Sequence, residues 1–346
     1  MASRITPRFS PYTYVRTNVM RTLLLKKEDY HKLMKMSVAE MTKYLQDRQY
    51  REDINALGVR YEGTELLEHA LKNNLERSFT KLRRICDEDM LPLIDGYLKR
   101  HDVWNIKTIL RALYTGDDKA KTREMLLVTA GPASEEFLLG LLNQKTFEDA
   151  LEMLSKSEWK EAVKDHTTLM QVENGLDKQY YKELLVLADR LSSEGALFKR
   201  FIVTEIEILN LLVIMRMVRE EVSPESIKEL LFWVNGSRLN KLFEELITKK
   251  TVRGVVEASQ KTMFKDSLNK GLLAYEKSGS LVDMERELRK YLLRISALFT
   301  HKGMLTFNVI LGYMFEKEQE ARNIRVIMKG RELGMSDAYI EQELVA

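Results

Sequence analysis

The sequence is poor in everything that cross-links a chain or interrupts a helix. Cys86 is the single cysteine in 346 residues. One thiol excludes an internal disulfide, and the plain reading is a reducing, cytosolic setting. Five prolines and 16 glycines leave long stretches without a breaker, so long helices are expected. An excess of one charge is missing too. The chain balances 55 basic against 52 acidic residues, a net of +3, without the clustered basic face of a nucleic-acid binder. Long hydrophobic runs are also absent. Residues 201–218 are apolar but include Glu205, Glu207 and Arg216, and residues 303–315 are uncharged but only 13 long, against about 20 for a membrane span. Both read as buried core helices. Residues 1–10 carry Arg4 and Arg8 and no apolar signal-peptide core; they read as a disordered or loosely docked tail.

The motifs of common chemistries are equally scarce. There is no Gly-x-x-x-x-Gly-Lys-Ser/Thr loop, no Gly-x-Gly-x-x-Gly and no Gly-x-Ser-x-Gly. The histidines, His31, His69, His101, His166 and His301, are scattered, and Glu28-x-x-His31 is the sole Glu-x-x-His. A di-iron bundle needs two such pairs and two further glutamates. Cys86 lacks a second thiol or a general base to activate it and reads as an inert buried thiol. No catalytic, cofactor-binding or metal-binding set is therefore expected.

What is present is a phrase written three times: DVWNIKTILR at 102–111, EILNLLVIMR at 207–216 and EARNIRVIMK at 320–329. Its pattern is acid-x-x-Asn-Ile/Leu-x-x-Ile-Leu/Met-Arg/Lys. The acids are Asp102, Glu207 and Glu320, the asparagines Asn105, Asn210 and Asn323, and the cations Arg111, Arg216 and Lys329. Thirteen residues past the second and third asparagines stand Ser223 and Ser336, and 21 past all three stand Leu126, Leu231 and Leu344. Upstream, Ser37, Thr146 and Thr251 each open a short helical pattern that leads to an aromatic–basic pair: Tyr50-Arg51, Trp159-Lys160 and Phe264-Lys265. From Asn105 to Val163 and from Asn210 to Leu268 the copies run at a constant offset of 105 without a gap. Ordered agreement over two phrases indicates triplication. It divides the chain into repeat units 1–129, 130–234 and 235–346, with breaks near Gly131-Pro132 and Asn235-Gly236.

Heptad-like apolar spacing recurs throughout and no alternating run is bounded by turn residues, so the fold class is all-α. On a helix Asp102, Asn105 and Ile109 share one stripe. Asn105 is therefore placed at a buried edge, where its amide needs partners on a neighbouring helix. Acid and cation lie nine residues apart, out of phase on one helix, so each must find a different neighbour. Two readings stay open for Asp102, Glu207, Glu320, Arg111, Arg216 and Lys329. They tie helices together at equivalent joints, or they face a central opening and touch a partner.

The chain resembles the C subunit of archaeal and bacterial A/V-type ATP synthases, which is similar to the d subunit of the V-type ATPase. The resemblance is carried by Tyr14-x-Arg16 with Leu24-Leu25 and Tyr30-x-x-Leu33, by Tyr44-Leu45…Tyr50…Ile54, by the phrase at Asp102–Arg111, and by Asn323-Ile324-Arg325-x-Ile327-x-x-Gly330 with Ile340-x-x-x-Leu344. It spans essentially the whole chain. Glu in place of Asp in the second and third copies, and Lys329 in place of Arg, depart from the strictest form of the phrase and count against a required guanidinium fork at the third position. The resemblance implies an all-α funnel of three similar domains with pseudo-threefold symmetry. It also implies a non-catalytic central-stalk protein without cofactor, which joins the shaft formed by the D and F subunits to the membrane rotor ring and passes torque between ATP chemistry and transport of protons or sodium. Its place would be peripheral, on the cytoplasmic face, meeting the membrane only through the ring. The rival reading is a helical-repeat scaffold that binds a peptide or adaptor in a groove.

Overall fold

The computed structural model describes residues 10–127, 130–191, 195–301 and 307–345. It is 76% helical, with no strands among the described residues, as the breaker-poor composition predicts. The helices are α1 (Pro11–Thr22), α2 (Lys27–Leu33), α3 (Val38–Gln46), α4 (Arg51–Leu57), α5 (Gly63–Ile85), α6 (Leu91–Thr115), α7 (Lys119–Met125), α8 (Glu135–Leu142), α9 (Phe147–Ser155), α10 (Lys160–Val163), α11 (Leu169–Arg190), α12 (Gly195–Arg219), α13 (Pro224–Leu230), α14 (Asn240–Leu246), α15 (Val252–Ala258), α16 (Lys265–Ser278), α17 (Val282–His301), α18 (Phe307–Glu332) and α19 (Asp337–Glu343). No described helix is long and apolar enough to cross a membrane.

Repeated residues set repeated helix ends. Ser37, Thr146 and Thr251 cap α3, α9 and α15, each hydroxyl accepting from an amide in the first turn. The first two are full capping boxes with Glu40 and Asp149; Gly254 offers no carboxylate to complete the third. The aromatic–basic pairs mark a second set of starts. Tyr50, Trp159 and Phe264 are the N-cap residues of α4, α10 and α16, and all three rings are buried. Asp118, Ser223 and Ser336 cap α7, α13 and α19. Asp118 is the first-copy counterpart that the serine spacing did not reveal. Leu126, Leu231 and Leu344 end those helices in extended backbone with buried side chains.

Several boundaries differ from the sequence reading. The Tyr12–Lys35 pattern is two helices, because the chain leaves helical geometry at residues 25–26 before the Lys26 cap of α2. Each phrase begins well inside its helix: α6 starts at Leu91, with Pro92 in the first turn where its missing N–H costs nothing. The polar stretch before Tyr180 belongs to α11 from Leu169 onward, capped by Thr168 and Gln171. Its apolar positions Val172, Leu176 and Tyr180 keep one buried face that the surrounding polarity obscured. The tail at 1–9 and the start of the 303–315 run lie outside the described residues.

The chain forms two compact units. One comprises Met1–Glu194 with Leu305–Leu344, the other Gly195–Met304 with the last two residues. Inside each, a phrase helix packs on helices that follow it in the repeat order. In the first unit α6 packs on α8, α9 and α11. In the second unit α12 packs on α14, α15 and α17. The third phrase helix, α18, packs on α1, α2, α3 and α5, and on α19, which follows it. It is apolar or buried on nearly every side, from Phe307 to Gly330. One core cluster accordingly joins Tyr30, Leu33, Met41, Leu45, Tyr50 and Leu71 with Ile324, Ile327 and Met328.

Candidate functional site

The feature that recurs with the phrase is a joint between an acid, an asparagine and the backbone of another segment. Asn105 is fully buried on α6. Its amide donates to the Leu127 carbonyl at 3.0 Å and its Oδ1 accepts from the Leu127 amide at 2.8 Å. Asn210 on α12 repeats this with Phe232, at 2.8 Å and 3.0 Å. The partner is thus the extended backbone just past α7 or α13, not a neighbouring helix. A side-chain amide reproduces one rung of a backbone ladder there and holds the segment to the phrase helix. Asn323 is buried on α18 and hydrogen-bonds Tyr30.

The acids grip the entries of other helices. Asp102 Oδ2 accepts the Ala133 amide at 3.0 Å, just before α8. The approach is close: a Cβ on Gly131 would collide with the Asp102 carboxylate, so the Gly131-Pro132 turn needs its glycine. Burial pushes the Asp102 carboxyl up to about 7, opposed by the Ala133 amide. Glu207 accepts from Ser237 Oγ at 2.8 Å, just before α14, and burial likewise raises its carboxyl. Glu320 makes the third and richest joint. Its oxygens accept the Leu25 amide at 2.5 Å, the Tyr50 hydroxyl at 2.6 Å and the Gln49 amide at 2.7 Å. Lys317 donates to it at 2.7 Å, and both side chains are 1% exposed. Leu25 immediately precedes the cap of α2. Each acid therefore clasps the segment that enters a short helix: α8 for Asp102, α14 for Glu207 and α2 for Glu320.

A profile of the family described as ATP synthase (C/AC39) subunit matches residues 13–343. The chain belongs to that family. It is 32% identical to the A-type ATP synthase C subunit of Methanococcoides burtonii, over 97% of this chain and 94% of that protein. It is 33% identical to the A-type ATP synthase C subunit of Haloquadratum walsbyi, over 96% and 97%, and 32% identical to that of Methanosarcina mazei, over 96% and 92%. The profile match spans the residues of all three joints.

The phrase cations behave less uniformly than the acids. Arg111 forks onto Glu173 of α11 at 2.5 and 2.9 Å. Arg216 reaches Glu285 of α17, the corresponding long helix, at 3.3 Å. Lys329 pairs with Glu332 of its own helix at 3.4 Å. All three side chains are about half exposed. An ammonium suffices for the local pair, which gives the lysine at that position a physical reason.

Two lysines upstream of the phrase are not singled out by the sequence reading. Lys99 and Lys317 stand six residues before Asn105 and Asn323. Lys99 lies 4.5 Å over the Trp159 ring and Lys317 4.6 Å over the Tyr50 ring, the equivalent aromatic caps. The shared offset could have found them, but Thr204 fills the place in the second copy and breaks the pattern. Elsewhere the described residues supply little for catalysis. Burial raises the Cys86 thiol to about 12, which leaves it protonated. His31 of the Glu28-x-x-His31 pair lies 3.8 Å from Glu341. Glu65, His69 and Glu124 bring ligand atoms within 4.8 Å of one another, but the two carboxylates are solvent-exposed.

Proposed function

We propose that the chain is a non-catalytic central-stalk component of a rotary A/V-type ATP synthase, seated between the shaft of the D and F subunits and the membrane rotor ring. In this reading it passes torque between ATP chemistry and the transport of protons or sodium, on the cytoplasmic face, held to the membrane as a peripheral protein. The three repeat units close around an axis into a funnel. The observation that carries the reading is the Glu320 joint. By gripping residues 25–50 it gives the clasps a cyclic order, first to second, second to third and third to first, which an open solenoid does not require. Similarity over nearly the full length to A-type ATP synthase C subunits supports it independently. A body of close-packed helices suits the task, since dense interiors transmit strain rather than absorb it.

The test is to mix the purified chain with a purified D–F pair and follow association by size-exclusion chromatography with light scattering. A one-to-one complex is expected. Absence of a complex, with all components folded, would overturn the assignment. A scattering envelope drawn out as a long arc would instead support the groove-binding scaffold.

A further inference from the structure

Helix α1 is amphipathic the wrong way round. Its buried face is Thr13, Thr17 and Met20, and the Thr13 hydroxyl donates to the Ile85 carbonyl at 2.6 Å. Its outward face carries Tyr12, Val15 and Val19, with Leu23 directly after the helix, and these are 61%, 56%, 49% and 52% exposed. The spacing of three, four and four residues puts all four in one stripe, roughly 17 Å long at 1.5 Å per residue. Isolated exposed apolar residues need no explanation, but an aligned row marks an interaction face.

Charge indicates what covers it. The first 27 residues contain Arg4, Arg8, Arg16, Arg21, Lys26 and Lys27 and no acid. The acids that approach α1 from adjoining elements are already engaged. Glu316 of α18 takes Arg21 through two bonds of 2.6 Å. Asp87 accepts the Ser10 amide. Asp29 accepts the Lys26 amide, the Tyr44 hydroxyl and Arg48. Glu28 and, beyond Asp87, Glu88 and Asp89 are the remaining acids close in sequence. Lys26 and Lys27 are exposed at the end of the stripe.

We propose that this face of α1 lies on an anionic lipid surface, with Tyr12, Val15, Val19 and Leu23 in the acyl–headgroup boundary and the exposed Lys26 and Lys27 on lipid phosphates. An apolar stripe set among basic residues is the pattern of an interfacial helix, and cations beside it add attraction to anionic headgroups. The inference rests on the reading of the chain as part of a membrane-attached synthase for the presence of a bilayer. It adds a direct lipid contact to the one expected through the ring.

The experiment is flotation of the full chain, alone, with vesicles of phosphatidylcholine and with vesicles of equal parts phosphatidylcholine and phosphatidylglycerol. Binding to the anionic vesicles only, weakened by salt, is expected. Val15→Glu/Val19→Glu should lower that binding by at least about tenfold, with helicity by circular dichroism unchanged because both side chains point outward. Leu273→Glu, at an exposed site of the second unit, should bind as the parent does. No binding of the parent chain, or undiminished binding of the double variant, would overturn the proposal. Self-association of the parent that the double variant abolishes would overturn it as well, by showing that a second copy covers the stripe. Because no other protein is added, these outcomes are independent of association with D–F.

Discussion

Removing Glu320 should be the most damaging single truncation at the three joints. In Glu320→Ala, Lys317 keeps its buried ammonium at 1% exposure with its carboxylate partner gone. Breaking a buried pair in this way costs about 3–5 kcal/mol. The Leu25 amide and Tyr50 hydroxyl lose their acceptor at the same time, and an orphaned buried donor costs about 1–3 kcal/mol. A total of about 5 kcal/mol or more approaches the whole stability of a typical domain. Lys317→Ala should be milder, because Glu320 retains three donors: Leu25, Gln49 and Tyr50. The order of damage, glutamate above lysine, is the distinctive expectation. Urea titration followed by tryptophan fluorescence measures it, since Trp104 and Trp159 report on the first unit and Trp233 on the second. The first-unit transition should move and the second stay. A Glu320→Ala chain within about 1 kcal/mol of the parent, or a Lys317→Ala chain that is the less stable, would refute the reasoning.

Two further outcomes follow from the other joints. Asp102 holds its proton up to about pH 7 in the folded chain against 3.8 ordinarily. The folded state thus binds the proton more tightly, so this carboxyl lowers stability as pH rises from about 4 to 7, by up to about 4 kcal/mol at 1.36 kcal/mol per pH unit. Asp102→Asn should flatten that slope in denaturation curves across the window; an unchanged slope would count against a protonated joint. Asn105→Ala and Asn210→Ala each strand one amide and one carbonyl and should cost about 2–4 kcal/mol, read by urea midpoint, with the effect of each confined to its own unit.

Much of this was legible in the residues. The three caps at Ser37, Thr146 and Thr251 and the buried asparagines follow from local chemistry, because a hydroxyl next to free amides or an amide on an apolar stripe has few places to go. The partners were not legible. Nothing local says that Asn105 meets the Leu127 backbone rather than a helix, or that Gly131 is glycine because Asp102 stands against it. The divergent fate of the cations was hidden as well. Arg111, Arg216 and Lys329 occupy one place in the phrase, but Arg111 and Arg216 pair with glutamates of an opposing helix and Lys329 with one of its own.

The sequence by itself determined the helical class and the three buried asparagines, since each is written in spacing and side-chain type within a few turns. Only the tertiary structure decided the order in which the joints close. That Glu320 clasps Leu25 and Tyr50, 295 and 270 residues away along the chain, follows from the packing of a helix that is buried on almost every side. The surface that buries it is provided by α1, α2, α3 and α5.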